Sequence, residues 1–304
     1  MRGIVTLAGD GSRMLPWSRG LRKEFLPLFD RAARPGGEPV LKPVTHLVVE
    51  TLVGARVTEL VLVVRPENRS IVENYFSIDQ ELLARHAHHP DRIRETERFY
   101  RSLRRLRVTV RLQRRPLGFG DAVRQAERLS GGRPFVVHAG DAVVVAPERG
   151  RLLRAMIDLQ ASEGLDAVLL VRPVADPRRY GVVEGSPLPR FRGARRLAVT
   201  GMEEKPERPR SRWAATAVYV FGPALWGALR REARERPREL ELTAGIARLL
   251  REGGRVEALV LAPAQGQWHS VGSPERYVRA LLATRALAGR SQRVRPGSSR
   301  PTSR

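Results

Sequence analysis

The feature that most constrains the fold is the alternation of short apolar runs with helix-like stretches in the N-terminal half. Gly3–Leu7, Leu60–Val64, Val108–Leu112 and Phe135–His138 read as buried strands. Between them, Val44–Ala55, Glu67–Tyr75 and Gly120–Leu129 carry helical periodicity. Parallel strands need a crossover helix, so this pattern predicts an α/β fold: a Rossmann-like mixed, mostly parallel sheet with helices on both faces. Ligands of such sheets bind beyond the carboxyl ends of the strands. Attention therefore falls on the loop after Leu7.

The second half continues with a helix at Leu152–Leu159 and a strand at Ala167–Val171. Hairpin or mixed-sheet strands follow at Tyr180–Glu184 and Leu197–Met202, with a further strand at Ala214–Phe221. Helices at Leu242–Arg251 and Pro274–Leu287 flank a strand at Arg255–Leu261. Residues 77–107 interrupt the alternation. They are helical in pattern and carry His86, His88 and His89, and a solvated helical insertion is preferred there to a metal site. The expectation is one domain over residues 1–289. The tail, 290–304, has five arginines and no acid, and is expected to be disordered.

With 304 residues, 42% of them hydrophobic, the chain can bury a substantial core. No apolar run approaches a membrane span, and no signal-peptide pattern opens the chain, so a cytoplasmic protein without membrane contact is expected. Absence of cysteine excludes disulfides and thiolate metal sites. Scarce Asn and Cys fit a heat-adapted protein, although abundant Lys is missing. The net charge of +23 admits nucleic acid or small polyanions as partners. Only 6% of residues are aromatic and no nucleic-acid-binding motif is present, which argues against a specific nucleic acid. Of 55 basic residues only Lys23, Lys42 and Lys205 are lysines. Lys is a compact point charge that Arg does not replace at a phosphate, so the surviving lysines are informative.

The loop itself is Gly9-Asp10-Gly11-Ser12-Arg13. Two glycines allow backbone N–H groups to approach a polyphosphate. It is neither the dinucleotide fingerprint, because Met14 replaces the third Gly, nor a P-loop, because no Gly-Lys-Ser/Thr closes it. By itself it reads equally as a tight turn.

The stretch Ala8–Pro16 followed by Lys23-Glu24-Phe25-Leu26-Pro27 resembles the signature of the sugar-1-phosphate nucleotidyltransferases, A-G-x-G-T-R-M-L-P then P-K-E-x-L-P. Ser12 stands for the Thr and Arg22 for the first Pro of the second block. The resemblance runs to about Leu287 and is strongest to the UTP–glucose-1-phosphate uridylyltransferases of bacteria and archaea, which also carry a helical segment at 77–107. It implies transfer of a nucleotidyl group, UMP from UTP in the favoured case, to a sugar 1-phosphate such as glucose 1-phosphate. Pyrophosphate is released and no covalent intermediate forms. Thymidylyltransferase-type specificity and a catalytically silent, sugar-nucleotide-binding paralogue are the alternatives. A homo-oligomer is implied as well.

Carried over residue by residue, the resemblance assigns Arg13, Lys23 and Lys205 to the phosphates. Ala8, Gly9, Gly11, Ser12, Gln113 and Gly118 go to the nucleotide. Gly181, Glu204 and Tyr219 go to the sugar, and Asp141, in Ala139-Gly140-Asp141, to Mg²⁺. Lys42 is expected to be structural. Three lysines scattered at random among the 55 basic positions would occupy both phosphate positions with a probability of about 0.002. Two departures stand out. Ala244 ends the block resembling E-I-Q-L-T-D. Ser270, in Trp268-His269-Ser270-Val271-Gly272-Ser273-Pro274, occupies the place of a second metal-binding aspartate. A hydroxyl is a poor Mg²⁺ ligand beside a carboxylate.

Overall fold

The computed structural model describes residues 1–34 and 36–290. The strands in chain order are β1 (Arg2–Leu7), β2 (Pro27–Asp30), β3 (Val40–Pro43), β4 (Glu59–Val64), β5 (Arg107–Leu112), β6 (Phe135–Ala139) and β7 (Ala142–Val145). They continue with β8 (Ala167–Pro173), β9 (Gly181–Phe191), β10 (Ala194–Glu204), β11 (Trp213–Phe221), β12 (Val256–Val260) and β13 (Gln267–Ser270). Nine of them form one sheet in the order β5-β4-β1-β6-β11-β8-β12-β10-β9. The β5-β4-β1-β6 block is parallel throughout. β11 runs antiparallel between β6 and β8, and β10 antiparallel between β12 and β9. The mixed, mostly parallel sheet expected from the alternation is the one observed.

The apolar runs are continuous because both faces of the sheet are covered. In β4, Leu60, Leu62 and Val64 point into one core, while Val61 and Val63 point into a second. β8 divides in the same way, with Val168 and Leu170 on one side and Ala167, Leu169 and Val171 on the other. The first core is filled by the helices Val44–Gly54 and Arg151–Glu163. The second is filled by Ala224–Glu235 and Leu242–Arg251.

Several elements depart from the sequence reading. The helix expected at Gly120–Leu129 is two short ones, Phe119–Arg124 and Glu127–Ser130. The hairpin strands β9 and β10 each run for 11 residues, closed by Arg192 and Gly193 at positive φ, a geometry that matches strand twist. The helix Ala224–Glu235 and the short pairs β2–β3 and β7–β13 had no sequence signal strong enough to announce them. Residues 77–107 hold the helices Gln80–Arg85 and Pro90–Leu103. The last helix extends to Arg290, the first residue of the expected tail; the rest of that tail lies outside the described residues.

Lys42 is buried, at 3% exposure. Its Nζ lies 3.0 Å from Asp30, 3.1 Å from Glu50 and 3.0 Å from Glu95. Arg149 closes the network at 2.6 Å from Asp30 and also pairs with Glu50. Burial works against the Lys42 charge, but Glu50 and Asp30 outweigh it and hold the ammonium above its ordinary range. The network ties β2, β3 and two helices to the loop after β7. Removing Lys42 takes a cation from three buried carboxylates and leaves Asp30 and Glu50 with Arg149, which costs about 3–5 kcal/mol for a buried pair broken on one side. Lys42→Ala is expected to lose that much stability in a urea titration, and a loss below about 1 kcal/mol would contradict a structural role.

Candidate active site

The carboxyl ends of β5, β1 and β6 meet at one edge of the sheet. Leu7 pairs with Val64 and Val64 with Leu112, while Thr6 pairs with Ala139. The loops that follow each strand carry the Gly9–Arg13 segment, Gln113, and Gly140-Asp141. They line a cavity of about 420 Å³ together with Lys23, Gly118, Phe119, Ala217 and Glu241. Of the residues expected at the nucleotide, Ala8, Gly9, Gln113 and Gly118 line it, as do Arg13, Lys23 and Asp141.

Asp141 is delivered by a close crossing. Gly140 N–H donates to Thr6 O at 3.0 Å, and a β-carbon on Gly140 would sit 2.8 Å from that oxygen and 2.1 Å from Leu7 Cδ2. Only glycine allows β6 to end so near β1. Asp141 Oδ2 then receives Lys23 Nζ at 2.6 Å. Lys23 arrives on the 3₁₀ turn Lys23–Phe25. Burial opposes charge on both groups. The mutual attraction is greater, so Asp141 lies below the usual carboxylate range and Lys23 above the usual ammonium range. Both stay ionised around neutral pH. Arg13 adds a second positive field on Asp141.

Gln113 is 3% exposed. Its amide nitrogen donates to Asp121 Oδ2 at 2.9 Å and to Gly118 O at 3.1 Å. Both donors are thus spent on protein, which orients the amide and leaves its carbonyl oxygen as the acceptor for a ligand N–H. Gly118 has φ of 100°, and a β-carbon there would fall 2.6 Å from Leu240 O. The turn that offers Gln113 depends on that glycine.

Other expected residues stand back from the cavity. Gly11 adopts φ of 69° and accepts from Ser18 Oγ at 2.8 Å, turning the chain toward Arg13. Neither Gly11 nor Ser12 lines the cavity, and Ser12 is exposed. Glu204 borders an adjoining acidic cavity with Glu203, Glu239, Glu241 and Thr243. Glu241 lines both cavities and joins them. Lys205 Nζ lies 3.0 Å from Glu204 Oε1, is largely exposed and lines neither cavity. Gly181 allows β9 to reach this region, since a β-carbon there would meet Thr243 Cγ2 at 2.8 Å. Tyr219, expected at the sugar, stands apart from both cavities. It is 3% exposed, packs against Phe119 and Phe221, and lines neither cavity. Its strand face turns it into the core, although it remains close enough to feel Glu204 and Glu241.

Three site residues escaped the sequence reading. Ala217 enters the cavity because β11 slips register between Ala215 and Tyr219 and holds Ala217 at φ of 60°, a bulge with no sequence signature. Glu241 stands at the entrance of the helix Leu242–Arg251. Glu24 was visible in the Lys-Glu-Phe-Leu-Pro block but was given no role. It is 2% exposed, and burial pushes its carboxyl up to about 7 against the pull of Lys23 and Arg22.

The corner where a divalent ion is expected has a poor donor set. Ser270 sits on β13 opposite Ala142, and its Oγ accepts from Gly272 N–H at 3.2 Å. Asp141, the one carboxylate at this corner, is already paired with Lys23. No group of three His, Asp or Glu side chains suited to a metal occurs among the described residues, the His86–His89 stretch included. A divalent ion fixed by protein carboxylates does not fit this arrangement.

A cleft at the carboxyl edge of a mostly parallel sheet, lined by Lys23, Arg13 and an oriented amide, has the charge and donor set to accept an anion on an α/β scaffold. The chain belongs to the Nucleotidyl transferase family, which matches residues 2–286. It is 26% identical over 285 residues to the UTP–glucose-1-phosphate uridylyltransferase of Bacillus subtilis, covering 92% of this chain and 89% of the relative. It is 29% identical over 287 residues to that of Escherichia coli K12, with the same coverage. The fold is similar to a crystal structure of apo UDP-glucose pyrophosphorylase, with TM-score 0.79, 23% identity, and 93% and 97% of the two chains covered. It also resembles the UTP-bound enzyme of Acinetobacter baumannii, with TM-score 0.72, 27% identity, and 93% and 92% covered.

Glu24 gives the site a pH dependence. Below about 7 its carboxyl is neutral and the cleft is one charge more positive. Relative to Glu24→Gln, the wild-type affinity for a nucleoside triphosphate is expected to fall by about fivefold between about pH 6 and pH 8. Isothermal titration of both proteins removes the contribution of the triphosphate's own titration. Parallel profiles would refute the assignment.

Proposed function

We propose that this chain transfers a uridylyl group from UTP to a sugar 1-phosphate, glucose 1-phosphate in the favoured case, releasing pyrophosphate. The observation that carries the reading is the Lys23–Asp141 pair, with Nζ–Oδ2 of 2.6 Å, standing in the same cavity as Arg13 and the oriented amide of Gln113. The names of the relatives and of the UTP-bound structural neighbour support the choice of nucleotide and sugar. So does the helical segment at residues 77–107.

In this reading a phosphate oxygen of the sugar 1-phosphate attacks the α-phosphorus. A new P–O bond forms there as the bond to the β-phosphate bridging oxygen breaks, and pyrophosphate departs in line. The attacking phosphate is already ionised at neutral pH, so no general base is needed. Catalysis rests on positioning and charge. Lys23 and Arg13 hold the triphosphate. Lys205, beside Glu204, meets the sugar phosphate, and Glu204 with Glu241 accepts from sugar hydroxyls. Gln113 Oε1 accepts the N–H of a uracil edge. Ser270 favours a second reading, a weak or silent sugar-nucleotide-binding relative, because the expected second carboxylate is missing.

Pyrophosphate release across the four common nucleoside triphosphates and several sugar 1-phosphates decides between the two. Turnover is expected with UTP and glucose 1-phosphate, and nucleotide binding without turnover of any pair would establish the silent reading. Lys23→Ala is expected to lower kcat by about 10²–10³-fold, as for loss of one preorganised charge-stabilising group. Lys205→Ala is expected to raise the KM for the sugar phosphate by about tenfold or more. Equal effects of Lys205→Ala on both substrates would displace it from that role.

A further inference from the structure

The corner formed by Asp141, Ser270 and Gly272 departs from what a protein-held divalent ion needs, and its own residues indicate what replaces it. A β-carbon placed on Gly272 would lie 3.3 Å from Arg13 Nη2 and 3.4 Å from both Asp141 Oδ2 and Ser270 Oγ. A carboxylate oxygen, a hydroxyl and a guanidinium thus crowd one point. Lys23 Nζ sits 2.6 Å from the same Asp141 oxygen. No carboxylate lies within ion-pair distance of Arg13 among the described residues.

Of the other carboxylates of the cavity, Asp10 pairs with Arg65, Glu24 at 2% exposure lies 3.4 Å from Arg22 Nε and 3.9 Å from Lys23 Nζ, and Glu241 stands with Glu204 in the adjoining cavity. Asp141, facing two cations, cannot attract a free divalent ion strongly. Mg²⁺ gives up water reluctantly and is ordinarily held by carboxylates together with substrate phosphates. Two fixed positive charges a few ångströms away oppose its entry further.

We propose that this chain fixes no divalent ion of its own: Arg13 and Lys23 supply standing positive charge at the Asp141–Ser270 corner. Any divalent ion in the site arrives as the counter-ion of the triphosphate. The inference rests on the reading of this cleft as a triphosphate site, yet its central test needs neither nucleotide nor turnover.

The test uses Mn²⁺ as a probe, since it shares the oxygen preference and octahedral geometry of Mg²⁺. Electron paramagnetic resonance follows the free hexaaqua ion during titration of the full-length, nucleotide-free protein. The wild type is expected to leave the signal unchanged up to about 1 mM Mn²⁺, whereas Ser270→Asp, with a second carboxylate, is expected to bind at least about tenfold more tightly. Adding Asp141→Asn to that variant is expected to abolish the gain.

Binding of Mn²⁺ by the wild type below about 100 μM, lost in Asp141→Asn, would overturn the proposal. A Ser270→Asp protein that retains its circular dichroism spectrum but gains no Mn²⁺ affinity would overturn it equally, since Ser270 would then not face the metal position. With UTP present, one Mn²⁺ per bound nucleotide supports the proposal, and two contradict it. Failure of every nucleoside triphosphate to turn over would remove the functional reading while leaving the nucleotide-free titration interpretable.

Discussion

The parallel register of β5, β4, β1 and β6 is the constraint on which the site depends. Because Leu7, Val64 and Leu112 are paired across the sheet, the loops after β1 and β5 leave it at one level. The pairing of Thr6 with Ala139 brings the loop after β6 to the same edge. A slip of one residue would exchange the two faces of a strand that is buried on both sides, so the register is held by the two cores and not by hydrogen bonds alone. That rigidity allows Lys23 and Asp141, 118 positions apart, to meet at 2.6 Å.

Charge is arranged at two levels around that edge. Beneath it, Lys42 and Arg149 are saturated by Asp30, Glu50 and Glu95 and serve as a clamp. At the surface of the cleft, Arg13 has no carboxylate partner among the described residues, and Lys23 has Asp141 at 2.6 Å and Glu24 at 3.9 Å. A basic group that is already matched stabilises the fold. One that is unmatched, in a partly enclosed cleft, attracts an anion. The same residue types are therefore divided between structure and function by what surrounds them. The Ser270 substitution belongs to the second level, because it removes negative charge from a corner where Arg13 and Lys23 converge.

The legibility of the site followed the same division. Gly9–Arg13, Gln113 and Asp141 stand out in the sequence because each follows an apolar run at its carboxyl end. Lys23 and Lys205 stand out because lysine is scarce in this chain; Lys23 lines the cleft and Lys205 does not. The face on which Tyr219 lies and the entry of Ala217 into the cavity both depend on a bulge in β11, which no local pattern announces. Glu24 was present in a recognisable block. Its raised titration range comes from burial, which a linear motif does not contain.

The amino-acid sequence by itself determined the alternating α/β architecture, the Gly-rich loop after the first strand, and the absence of a carboxylate at position 270. These are properties of residue identity and spacing. Only the tertiary structure decided which lysine would be a buried clamp and which would line the cleft, that Gln113 spends both amide donors on the protein, and that Ser270, Asp141 and Arg13 share one corner. Those outcomes depend on distances between segments remote in the chain. Such distances are set by sheet register and two-sided packing, which no local pattern encodes.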